Sequence, residues 1–144
     1  MVPSNNDSWE QDVSSRVFVH LVWTTRSRIP LLVPELERQV HRCIETDAMR
    51  LRCTVLALDG TDDHLHVLVK IPLSLSISAL TKQLKGASSH LANRISSPKS
   101  LFRWQDGYAA LSVSRWDLEK VGSYIRNQKV HHAARTAVPD WEPP

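Results

Sequence analysis

The stretch RVFVHLVWTT, Arg16–Thr25, most narrows what this chain can become. It is rich in β-branched and aromatic residues and contains neither glycine nor proline. A run this apolar, on a short segment, reads as a strand buried on both faces. A second such run, HLHVLVKI (His64–Ile71), follows RCTVLALDG (Arg52–Gly60) across the polar turn DGTDD, so these two read as a hairpin. FRWQDGYAALSVS, Phe102–Ser114, holds a fourth strand, with room for a hairpin arm at its start.

Between the strands the period changes. Leu36, Val40, Ile44 and Ala48 recur every four residues after Pro34, which suits a first helical turn, and predict a helix ending near Arg50. Ser74–Ile95 reads as a second helix, with Ile77, Leu80, Leu84, Leu91 and Ile95 on one side and Gly86 weakening its middle. A last helix is expected from about Arg115 to Ala134, with Ser114 as its cap and Leu118, Val121 and Ile125 as its apolar stripe. The order β-α-β-β-α-β plus a helix is that of an α+β, ferredoxin-like (split βαβ) fold. It predicts an antiparallel sheet with two helices on one face and a C-terminal helix added. The expected domain is 16–135, between a flexible arm, 1–15, and an irregular tail, 136–144.

The chain has 144 residues, enough for one domain with a core of its own. Its net charge of +3 suits a phosphate-bearing partner without requiring one. Cys43 and Cys53 have neither metal-knuckle nor redox spacing and read as reduced thiols. That reading, with no secretory signal and no membrane-length apolar run, gives an expectation of a cytoplasmic protein.

Two features carry chemistry. His64 and His66 are two apart on a strand, so they share a face with Leu68 and Lys70, opposite Leu65, Val67 and Val69. Paired imidazoles on a rigid strand make half of a divalent-metal site. Ordinary strand histidines with satisfied hydrogen bonds are the alternative. Asp62 and Asp63 lie at the mouth of the same strand. In the last helix Tyr124 and Gln128 are four apart, one turn from each other on one face. A phenol of pKa about 10 is a poor nucleophile unless the attacked phosphate is polarised by a metal. The amide oxygen of Gln128 could complete a shell begun by two histidines, since carbonyl oxygens suit Mg²⁺ and Mn²⁺. His131 and His132 read as a solvated end complementing the helix dipole.

HLH and YIRNQ, taken with FVHLVWTTRSRIPLL, LTKQLKGASSHL and WQDGYAALSVS in this order, resemble the single-tyrosine HUH transposases of small insertion sequences. They equally resemble the related transposases associated with repeated extragenic palindromes. The resemblance spans Phe18 to His132. It implies a homodimer that cuts and rejoins single-stranded DNA near hairpins at element ends, with Mg²⁺ or Mn²⁺ and no nucleotide cofactor. Tyr124 would attack the backbone, giving a 5′-phosphotyrosine and a free 3′-hydroxyl. His64, His66 and Gln128 would be the metal ligands, and Asp63 would orient an imidazole. Arg26, Arg28, Lys82, Lys85, Lys99, Arg103, Arg126 and Lys129 are candidate DNA contacts, and Trp104 and Trp116 candidate stacking surfaces. Gly122, two residues before the tyrosine, departs from the family pattern, and so does the short tail. A non-cleaving or domesticated DNA or RNA hairpin binder, and a phosphoesterase using the histidines to activate water, are the competing readings.

Overall fold

The computed structural model describes residues 16–96, 101–134 and 137–143. The arm 1–15 and Lys99 lie outside the described residues. The elements are β1 (Val17–Thr24), α1 (Pro34–Arg50), β2 (Thr54–Gly60), β3 (His64–Ile71), α2 (Ile77–Ile95), β4 (Ala109–Val113), α3 (Leu118–Arg126) and α4 (Gln128–Ala134). The strands form one sheet in the order β2-β3-β1-β4, and every neighbouring pair is antiparallel. This is the α+β, ferredoxin-like arrangement that the element order predicts.

Alternation along the two central strands divides the molecule into layers. Val19, Leu21 and Trp23 of β1 and Leu65, Val67 and Val69 of β3 join one core with α1 and α2. Val40, Ile44 and Ala48 are the α1 side of that core, at the expected spacing. The buried stripe of α2 is Leu80, Leu84, Ser88 and Ala92, rotated from the expected one, and Ile95 is exposed. Ser88 draws the stripe round because its hydroxyl accepts the indole N–H of buried Trp104 at 2.9 Å. On the opposite face Leu68 and Ala57 meet Val121 and Ile125 of α3. Each large aliphatic side chain buried there is worth about 1.5–3 kcal/mol, which is what fixes α3 across the sheet. A register shift between Val55 and Ala57 lets β2 serve both cores.

Two expectations about local structure change. The strand in Phe102–Ser114 is confined to its last residues, although Trp104 bridges to Thr25 and Gln105 N–H donates to Thr24 O at 2.9 Å. The last helix is three pieces: a 3-10 turn at Arg115–Asp117, then α3, then α4. Asn127 sits between the last two with φ −108° and ψ 27°, and its side chain bonds back to Ser123 O at 2.8 Å. That local bond competes with the helical ladder and ends α3. Cys43 and Cys53 are free thiols. Among the described residues no helix is long and apolar enough to cross a membrane.

Candidate active site between the sheet and the C-terminal helices

The face of the sheet away from α1 and α2 carries a row of imidazoles. His20 of β1 and His64 and His66 of β3 are each 0–1% exposed. They alternate with core residues, so the same pleat that builds the hydrophobic layer aims them at α3 and α4. His64 Nδ1 lies 2.7 Å from Asp63 Oδ1 and 2.9 Å from Thr61 Oγ1. Its Nε2 therefore points into the space under α4. His66 Nδ1 lies 2.8 Å from His20 Nε2, and its Nε2 points into the same space.

That space is filled from the C-terminal side. The carboxylate of Glu142 places Oε1 at 3.1 Å from His64 Nε2, 3.2 Å from His66 Nε2 and 3.0 Å from His132 Nε2. Its Oε2 accepts the Tyr124 hydroxyl proton and, at 3.3 Å, the Gln128 amide. The Tyr124 oxygen also accepts from Val138 N–H at 2.8 Å. Buried Gln128 directs its carbonyl oxygen to 3.4 Å from His64 Nε2 and 3.2 Å from His132 Nε2. The break at Asn127 does not separate Tyr124 from Gln128, because both side chains end on Glu142.

Charge follows from these contacts. Burial pushes His64 down, but its bonds to Glu142 and Asp63 outweigh that and hold it above the ordinary histidine value. Burial dominates for His66, held below that value, and for His20, pushed down to about 3. Both are therefore neutral imidazoles at pH 7. Burial also opposes ionisation of Glu142, yet bonds from His64, His66 and Tyr124 hold its carboxyl far below the usual carboxylate range. Tyr124 is pushed up to about 12, first by burial and then by the neighbouring carboxylate.

The donor set suits a divalent cation. One ligand atom each of His64, His66 and Glu142 lies within 4.8 Å of the others, and the Gln128 oxygen faces His64. Two imidazole nitrogens with carboxylate and amide oxygens are the mixture that borderline-hard ions such as Mn²⁺ accept. His64, His66, Gln128 and Glu142 are the side chains that could hold it.

Sequence reasoning did not find Glu142, His132 or His20 as site residues. His132 is half-buried against Gln128 and Glu142, not at a solvated helix end. His131 stacks on the Tyr124 ring, with centroids 4.5 Å apart. Nothing local marks Glu142, which reaches His66 across 76 positions. His20 lies in the stretch read from sequence as a strand buried on both faces, and only its contact with His66 of β3 marks it as part of the site.

The basic residues divide. Arg26, Lys82 and Arg103 are exposed. Arg28 pairs with Asp63 at 3.1 Å, beside the site. Lys85 donates to the carbonyls of Gln105 and Gly107, and the exposed Arg126 lies 3.4 Å from Leu56 O. Lys129 spans Glu37, Asp59 and the Gly60 carbonyl, tying α4 to α1 and β2. Trp104 belongs to the core, edge-on to Trp23 and Phe102. Trp116 is 81% exposed, with Arg115 over its ring.

Comparison with known proteins agrees with this architecture. The profile of the family described as "Transposase IS200 like" matches residues 13–128. The ISDra2 transposase TnpA of Deinococcus radiodurans is 25% identical over 115 residues, covering 76% of this chain and 81% of that one. A crystal structure described as a transposase from Deinococcus radiodurans R1 superposes with a TM-score of 0.61 at 27% identity, covering 77% of this chain and 89% of that chain. A REP-associated tyrosine transposase, solved bound to a REP hairpin, shares the fold with a TM-score of 0.64 at 15% identity, over 81% of this chain and 68% of that one. The chain belongs to the IS200-like transposase family.

Proposed function

We propose that the chain cleaves and rejoins hairpin-bearing single-stranded DNA through a covalent bond to Tyr124, with a divalent ion, Mg²⁺ or Mn²⁺, at His64 and His66. The observation that carries this reading is convergence. The Tyr124 hydroxyl, the Gln128 amide and the two histidines all end on one carboxylate, so a strand phosphate entering in its place would meet nucleophile and ligands together. The bound ion would withdraw charge from the scissile phosphate and favour departure of the 3′ oxygen.

The remaining steps belong to the chain's own groups. The Tyr124 oxygen bonds to phosphorus as the bond to the 3′ oxygen breaks, leaving a 5′-phosphotyrosine and a 3′-hydroxyl. The energy of the phosphodiester stays in the covalent link, so rejoining needs no nucleotide. Asp63 holds His64 through Nδ1, which keeps Nε2 turned toward the ion it would bind. Gln128, fully buried with its amide on Glu142 and its carbonyl oxygen facing His64, would be the third protein ligand of the ion. The exposed Arg26, Lys82 and Arg103 would hold backbone phosphates outside the site. A hairpin substrate is in keeping with the solved relative bound to a REP hairpin. We assign the protein to homodimers through an exposed sheet edge, by the family resemblance.

The test is a labelled single strand carrying hairpins from the genomic flanks, incubated with Mn²⁺ and run on a denaturing gel. Cleavage should occur, and should disappear with chelator and in His64→Ala. A salt-sensitive shift on a native gel without cleavage would instead identify a hairpin binder.

A further inference from the structure

We propose that His20 is the positioning residue for His66, serving it in either tautomer and so allowing one imidazole to face a carboxylate or a metal ion in turn. This rests on the metal-centre reading above. The two histidines of β3 are supported differently. His64 Nδ1 meets Asp63, and a carboxylate only accepts, so the proton on that nitrogen is fixed. His66 Nδ1 meets another imidazole, His20 Nε2, at 2.8 Å, and both rings are buried. An imidazole nitrogen is donor or acceptor according to its tautomer. In a neutral pair this close, one ring donates and the other accepts.

Both arrangements have a use. With Glu142 in place, its Oε1 at 3.2 Å accepts the Nε2–H of His66. His66 Nδ1 then carries the lone pair, and His20 donates to it from Nε2. Metal ligation at His66 Nε2 requires that lone pair on Nε2, hence a proton on Nδ1, which His20 Nε2 then accepts. The exchange balances. The Nε2 proton of His66 leaves to solvent, the shared proton moves from His20 to His66 Nδ1, and His20 takes one proton at its Nδ1. His20 lines a cavity of about 140 Å³ whose wall is mixed, polar at Ser112, Asp117 and Lys120 and apolar at Leu111, Val113 and Trp141, and a water held at its polar side would deliver that proton. An aspartate at position 20 would serve only one of the two states. Among the described residues, His20 is the hydrogen-bond partner given for His66 Nδ1.

The experiment uses the full chain and two readouts. Mn²⁺ affinity is followed by electron paramagnetic resonance for wild type, His20→Leu, His20→Gln and His64→Ala. Partners that orient a ligating histidine are typically worth 10–100-fold in metal affinity. His20→Leu should lose about that, and His20→Gln, whose amide can also donate or accept, should stay close to wild type. In the wild-type chain, ¹⁵N resonances of His66 should move its proton from Nε2 to Nδ1 on adding Zn²⁺, a readout that needs no variant to fold. His20→Leu binding Mn²⁺ as tightly as wild type would overturn the proposal. So would equal losses in Leu and Gln, or a His66 Nδ1 that stays unprotonated with Zn²⁺ bound. If wild type and His64→Ala bind Mn²⁺ equally, the metal centre itself falls, a result distinct from failure of His20.

Discussion

Gly60 closes the hairpin that delivers His64. It ends β2 and pairs with Leu65, and a Cβ built on it would lie 2.2 Å from His64 O and 2.7 Å from Leu65 Cα. Both obstacles are backbone, so no side chain can swing aside. Restoring ordinary contact requires the strand start to retreat by roughly 1 Å, a shift applied to the residue that carries His64. Overpacking of this kind costs about 1–3 kcal/mol. For a chain of this size that lowers Tm by roughly 2–12 °C. A displacement near 1 Å at a reacting group costs on the order of 100-fold in rate. Gly60→Ala should therefore lower Tm and weaken Mn²⁺ binding and strand cleavage together. Gly86→Ala is the control, because a Cβ there meets nothing within 4 Å. As a solvent-side helix position it should gain about 0.5–1 kcal/mol. Gly60→Ala with wild-type melting and metal affinity would show that this close approach does not position His64.

Other consequences follow from single contacts. Glu142→Gln keeps the shape of the side chain but removes the charge shared by His64, His66 and His132; charge-assisted bonds of about 1.5–3 kcal/mol predict a Tm lower by roughly 3–12 °C in metal-free protein. His41 is pushed down to about 4 by burial, with Asp59, Glu37 and Lys129 around it. A histidine with a lowered folded value contributes stability above pH 6.5 that is lost as pH falls toward 4, because the unfolded chain binds the proton first. Denaturant melts should show that decline, and His41→Leu should flatten it by up to about 3 kcal/mol. Arg26→Ala removes an exposed charge and should reduce the slope of log affinity for single-stranded DNA against log salt by about 0.7.

The parts of the fold written in local periodicity were readable. The alternation of β3 put His64 and His66 on the face opposite Leu65 and Val67, and the four-residue period of α1 named Val40, Ile44 and Ala48. Tyr124 and Gln128 end side by side on Glu142, as near each other as their spacing suggested, although the helix between them breaks where Asn127 bonds its own preceding turn. Asn127 favours caps and turns over helix interiors, but a single such residue inside an otherwise helical run does not by itself announce a break. Glu142 and His132 were illegible for another reason. A glutamate between a tryptophan and two prolines carries no pattern, and its meaning arises only when residues 137–143 fold back over the histidines. Lys129, on a solvent-facing helix position by period, is held by Glu37 and Asp59 through contacts 92 and 70 residues away.

Everything proposed for this site turns on whether the Tyr124 oxygen becomes bonded to DNA. The most direct measurement is mass spectrometry of the protein after incubation with hairpin-bearing single-stranded DNA and Mn²⁺, followed by nuclease trimming and peptide mapping. The peptide containing Tyr124 should carry a nucleotide 5′-phosphate, absent in Tyr124→Phe and absent with chelator. Cleaved DNA with no adduct on Tyr124, or an adduct that survives Tyr124→Phe, would contradict it.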